Sequence, residues 1–235
     1  AWKLTLPAVF VADVAGRGLM AKVSGRAADG SGVGRDVSNT VAYAGLLAFP
    51  ILFGTLALAR PLVVTVYGPA YAEAAVLLVG LAVYRVLRSQ SGPLLQAVNG
   101  LDRPDVGMKL SAAALAVNVA LGVALTLRFG PIGVVAATVV AEAVRYAGCA
   151  AFLRSAVSRF EPVSRPMAVQ VGASLVMYGV VAATHAALGV RSWVDLVALV
   201  SLGGVVYVGL LVALSPGFRH TLGTALEGSF ADARP

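Results

Sequence analysis

The stretch from Glu73 to Asp105, EAAVLLVGLAVYRVLRSQSGPLLQAVNGLDRPD, sets the reading of the whole chain. From Ala74 to Val98 it predicts one apolar helix long enough to span a bilayer, carrying two arginines and closing in a polar turn. At about 100° per residue from Arg85, the polar or small positions fall at roughly −60° (Arg88), −40° (Asn99), −20° (Gly92), 20° (Gln96) and 40° (Ser89). They form a stripe about 100° wide on one side of the helix. Eleven Val or Leu residues lie between Val76 and Val98. They favour the membrane by roughly 3–7 kcal/mol, and two central arginines oppose that by about 5–7. The segment is marginal alone, so its arginine side should face a protein interior or a water-filled cavity rather than lipid.

The rest of the chain has the same character. Of 235 residues, 59% are hydrophobic and 12% charged, and the mean hydropathy is +0.86. That composition implies a polytopic membrane protein, an all-α bundle. The net charge of +7 does not point to nucleic acid, because the basic residues lie between apolar blocks rather than in one patch or arm. Cys149 is the only cysteine, which excludes an intrachain disulfide and a cysteine-based zinc site. His185 and His220 are too far apart for a metal-binding motif.

Upstream of the arginine helix, Leu4 to Ala15 reads as the end of a membrane helix whose earlier part is absent. Gly16 to Asp36 reads as a Gly-rich, basic connector. Gly30, Gly32 and Gly34 have neither the spacing nor the preceding strand of a phosphate loop. Val41 to Ala59 is a first complete span, with a kink expected at Pro50 and with Arg60 and Pro61 following it. Downstream, spans are expected at Leu110–Leu127, Ile132–Leu153, Met167–Leu188 and Val194–Leu214, making six complete spans and one partial one. The division that follows is 1–39 for the partial helix and connector, 40–157 for four membrane helices, 158–215 for two more and 216–235 for a tail. Tyr67-Gly68-Pro69 and Phe129-Gly130-Pro131 lie two helices apart and hint at a repeated hairpin.

Orientation follows from Lys and Arg in alternate loops. One side receives eleven, at 17, 22, 26, 35, 103, 109, 154, 159, 165, 219 and 234; the other receives three, at 3, 128 and 191. The connector and C-terminus are therefore expected to be cytoplasmic and both aromatic-Gly-Pro turns external. Trp2 and Trp193 read as interfacial anchors.

A second polar stripe appears on the fourth span, where Thr138, Glu142, Arg145 and Cys149 occupy about 0°, 40°, −20° and 20°. Glu142 and Arg145 are spaced to pair along one helix. Two readings stand: a self-neutralising structural pair, or an Arg145 that joins Arg85 and Arg88 in an internal cationic cavity. Arginine suits phosphate because its planar fork donates in parallel and stays charged. Gln96 and Asn99 are candidates for contact with a sugar, or for helix packing and turn formation. His185 reads as an interfacial histidine. No serine-histidine-acid arrangement, nucleotide loop or acidic metal cluster is legible, and neither a catalytic residue nor a cofactor is expected.

The order of these features resembles a known family. FPILFGTLALARPLVVTVYGPAYAEAAVLLVGLAVYRVLRSQSGPLLQAVNGLDRPD, then NVALGVALTLRFGPIGVVAATVVAEAVR, is similar to the C-terminal half of the polysaccharide biosynthesis flippases, of the multidrug, oligosaccharidyl-lipid and polysaccharide exporter superfamily. The shared features are a Pro before the external turn, an aromatic-Gly turn with Tyr71 after it, and Asn99-Gly100 before Arg103-Pro104. Asn118 and the pair Gly130 and Gly133 complete the set. The Gly-rich tail and Arg-Pro-Asp look like haloarchaeal members. The resemblance implies the C-terminal lobe of a two-lobed flippase with two extra C-terminal helices, in the cytoplasmic membrane, moving a lipid-linked oligosaccharide by alternating access. Taken together, the two polar stripes and this likeness imply that Arg85, Arg88 and Arg145 would hold the phosphate or diphosphate and Gln96 would meet the sugar, with Glu142 as an ion site or charge partner. The partners implied are membrane lipids and a missing N-terminal lobe, without which this part should not transport. A cation-coupled drug exporter and a non-transporting scaffold for glycosyltransferases are the alternatives.

Overall fold

The computed structural model describes Val23, residues 33–215 and Phe218. The expected stub, Trp2, most of the connector, His220 and the tail beyond Phe218 lie outside these residues. The described chain runs α1 (Val33–Ala44), α2 (Ala48–Tyr67), a 3₁₀ turn (Pro69–Ala74), α3 (Ala75–Gly100), α4 (Pro104–Phe129), α5 (Pro131–Ala156), α6 (Arg165–Leu188) and α7 (Trp193–Leu214). Among the described residues, six stretches are long and apolar enough to cross a membrane. This is the all-α, multi-pass membrane bundle that composition implies.

The first span departs from its expected bounds. It covers 35 residues, Val33–Tyr67, in two helices rather than Val41–Ala59 in one. Arg60 and Pro61 sit inside α2 rather than after it, and Val33 to Asp36 form the first turn of α1 rather than the end of a connector. The break comes at Gly45–Leu47, ahead of Pro50. The reason is local: a proline has no N–H and its ring crowds the carbonyl four residues back, here that of Leu46. The Tyr207 hydroxyl of α7 donates to that carbonyl oxygen at 2.6 Å, so a packed neighbour supplies the missing donor.

Both aromatic-Gly-Pro turns share one geometry. Gly68 (φ +94°) and Gly130 (φ +57°) each end one helix in a conformation that disfavours a side chain, and a proline opens the next helical segment. At the other end of the bundle Asp102 (φ +59°) follows α3, and the Arg103 N–H returns to the Val98 carbonyl. Arg103 then binds Asp105 in the first turn of α4.

Antiparallel hairpins α4–α5 and α6–α7 flank a central pair, α2 and α3; α5 lies along α3, and α6 along α2. The α4–α5 seam is close because Gly133 lies against backbone: a Cβ there would stand 2.2 Å from the Leu125 carbonyl oxygen. One apolar core joins Val37 and Val41 to Leu94, Val98, Cys149, Leu153 and Phe160 at the α3–α4 end. A second joins Leu58 to Met177, Val181, Leu199 and Tyr207. The α5–α6 connection is tied to α1, where Ser38 Oγ accepts the Glu161 N–H at 3.0 Å.

Candidate functional site: a charged cluster between α3 and α5

Near the middle of α5 the Glu142 side chain is almost fully enclosed, 3% exposed, in surroundings that are otherwise apolar. An ionised carboxylate is held there only where cations and donors replace its water. The fold supplies them from two helices. Arg145, one turn on, donates from Nη2 to Glu142 Oε2, and Ser91 of α3 donates from Oγ to Oε1. Arg88 of α3 brings Nη1 to 3.9 Å from Oε1. One turn separates Arg88 from Ser91, so both lie on the α3 face that meets α5.

The cluster has one carboxylate and two guanidinium groups, hence one positive charge in excess. Its cations are also its accessible part: the Arg88 and Arg145 side chains remain 35% and 20% exposed. Arg145 Nε is buried and has no hydrogen-bond partner. The arrangement is therefore more than the self-neutralising pair within α5 that the sequence allows. It is a cross-helix cluster in which a buried carboxylate meets two partly exposed arginine side chains.

The other sequence candidates are placed differently. Arg85, 4% exposed, is buried like Ser89 and Gln90 of the same helix, and its guanidinium carbon sits 5.9 Å from the Tyr84 ring centroid. Gln96 is half-buried, about 12 Å along the helix from Arg88 at 1.5 Å per residue. Asn99 belongs to the turn: its carbonyl accepts the Asp102 N–H, and Gly107 of α4 leaves room for its side chain. Thr138 accepts a hydrogen bond from Asn118 Nδ2 of α4 at 3.3 Å, away from the Glu142 cluster. His185 is half-buried near the end of α6. Among the described residues no group of His, Cys, Asp or Glu is arranged to hold a metal ion.

Ser91 is the member that sequence reasoning missed. At about −120° from Arg85 it falls outside a stripe centred on that arginine. Its spacing from Arg88, together with the need of a mid-span Glu for donors, is the signal that would have found it.

These features define a class: a multi-pass helical membrane bundle with a charged cluster inside. No family model matches the chain. It is similar to the probable flippase AglR of Haloferax volcanii, 28% identical over 204 residues, covering 84% of this chain and 42% of that protein. It is likewise similar to the probable low-salt glycan biosynthesis flippase Agl15 of Haloferax volcanii, 28% identical over 184 residues, covering 77% and 38%. In fold it matches the lipid II flippase MurJ in an inward closed conformation, with a TM-score of 0.74 at 15% identity, over 92% of this chain and 45% of that one. Over the part it spans, the chain resembles these flippases in sequence and shares the MurJ fold. It covers less than half the length of each of these relatives.

Proposed function

We propose that the chain is part of a flippase that moves a lipid-linked oligosaccharide across the cytoplasmic membrane by alternating access, with Arg88 and Arg145 holding the phosphate or diphosphate at mid-span. The observation that carries this reading is the excess positive charge of the Glu142 cluster, with two part-exposed arginine side chains in it. A charge kept at that depth is costly, and it is retained where it meets an anion or a water-filled path. Arg85 contributes positive potential from its buried position, and Gln96 lies along α3 where a sugar would extend from the phosphate. The work is transport rather than covalent chemistry. Residues 40–157 form four helices of one lobe, 158–215 add two more, and an N-terminal lobe supplies the opposite wall. The eleven-to-three distribution of Lys and Arg between the two ends of the spans supports a cytoplasmic C-terminus, with the Gly68 and Gly130 turns outside.

A cation-coupled exporter needs a carboxylate open to an ion, and Glu142 is enclosed by cations instead. The test is Arg88→Gln with Arg145→Gln in the full-length protein, reading surface glycan at normal protein levels. Loss of two charge-assisted contacts predicts a fall of at least about tenfold. Unchanged export rejects the reading.

A further inference from the structure

Glu142 occupies donors that an anionic cargo would need. The carboxylate takes Nη2 of Arg145 and lies next to Nη1 of Arg88, and Ser91 fixes it from α3. Arg145 is nevertheless incompletely satisfied, because its Nε is buried with no acceptor. A guanidinium carries five N–H donors in a rigid fork, and Nε with one Nη forms an edge that a phosphate takes in parallel. The cluster thus combines a resident anion, an excess positive charge and a guanidinium Nε donor that no acceptor satisfies. Among the described residues Glu142 is also the only acidic side chain far from the end of its helix.

We propose that Glu142 is a resident counter-anion: it holds Arg88 and Arg145 in position while no cargo is present, and an incoming phosphate or diphosphate takes over part of their donors. Ligand affinity is then set by exchange against the carboxylate rather than by the arginines alone. Release is aided in turn, because the carboxylate recaptures the guanidinium groups as the anion leaves. Glu142 is a positioning residue in this scheme and does not touch the ligand. The inference rests on the reading of Arg88 and Arg145 as a phosphate site.

The test measures binding of a short-chain prenyl diphosphate to the full-length protein by calorimetry. Arg145→Gln should weaken binding at least about tenfold, and Glu142→Gln should tighten it by a similar factor, since a like charge beside the ligand has been removed. The double variant restores the net charge and should return to within about threefold of wild type. If Arg145→Gln weakens binding while a stable Glu142→Gln binds equally or more weakly, Glu142 is only a structural partner: the exchange is overturned and the phosphate site stands. If binding is undetectable, or Arg145→Gln leaves it unchanged, the phosphate site fails and the exchange with it. Should Glu142→Gln not fold, Glu142→Asp keeps the charge and draws it back by one methylene. Tighter binding by that variant supports the exchange, and unchanged or weaker binding overturns it.

Discussion

Ser91 on α3 donates its hydroxyl hydrogen to Oε1 of Glu142 on α5, joining two helices that also share one arginine on each side of the bond. The contact is buried, so no water replaces either partner when the other is lost. Ser91→Ala should destabilise the protein by about 1–3 kcal/mol, the cost of a buried charged acceptor deprived of a donor. Denaturant or thermal unfolding in detergent reads the effect. Ser91→Thr, which keeps the hydroxyl, should recover part of the loss.

The α1–α2 break gives a second prediction, because Tyr207 serves a carbonyl that Pro50 leaves without a helical donor. Tyr207→Phe should cost about 1–2 kcal/mol, since a buried carbonyl loses its partner. In a Pro50→Ala background an N–H becomes available to Leu46, and the same substitution should cost less. A double-mutant cycle measures the difference, with an expected coupling of roughly 0.5–1.5 kcal/mol.

The glycines of the α4–α5 hairpin fail for two different reasons. At Gly130 open space surrounds the Cα, so Gly130→Ala should cost only the backbone penalty of a positive-φ, extended conformation that favours glycine, about 1–3 kcal/mol. At Gly133 a side chain would press on the Leu125 carbonyl and force the helices apart. Gly133→Val should therefore cost about 1–3 kcal/mol or more. Thermal unfolding of the two variants side by side should rank Gly133→Val as the more damaging.

Much of this architecture was legible before the coordinates. Apolar runs bounded by Pro, Gly and charge located α3 to α7 to within a few residues, because in a bilayer the helix must satisfy its own backbone until the interface. Pro50 announced a break correctly but not its place, since the clash falls on the preceding turn. Pro61 announced an end that α2 does not respect: the helix runs on to Tyr67. At the site, the arginines and Glu142 stood out by their cost in an apolar helix. Their grouping was harder to read. One stripe drawn from Arg85 takes in Arg88 but leaves out Ser91, which donates to Glu142 of α5. Only the position of α5 shows that Ser91 belongs with Arg88.

The most direct test of the account asks whether water and an anion reach the guanidinium positions. In the full-length protein, free of other cysteines and with Cys149→Ser, Arg88→Cys and Arg145→Cys are each exposed to a membrane-impermeant, positively charged thiol reagent. The account predicts that both positions react and that a prenyl diphosphate bound at the remaining arginine slows the reaction several-fold. Thiols that never react, or that react at a rate the diphosphate leaves unchanged, would contradict it.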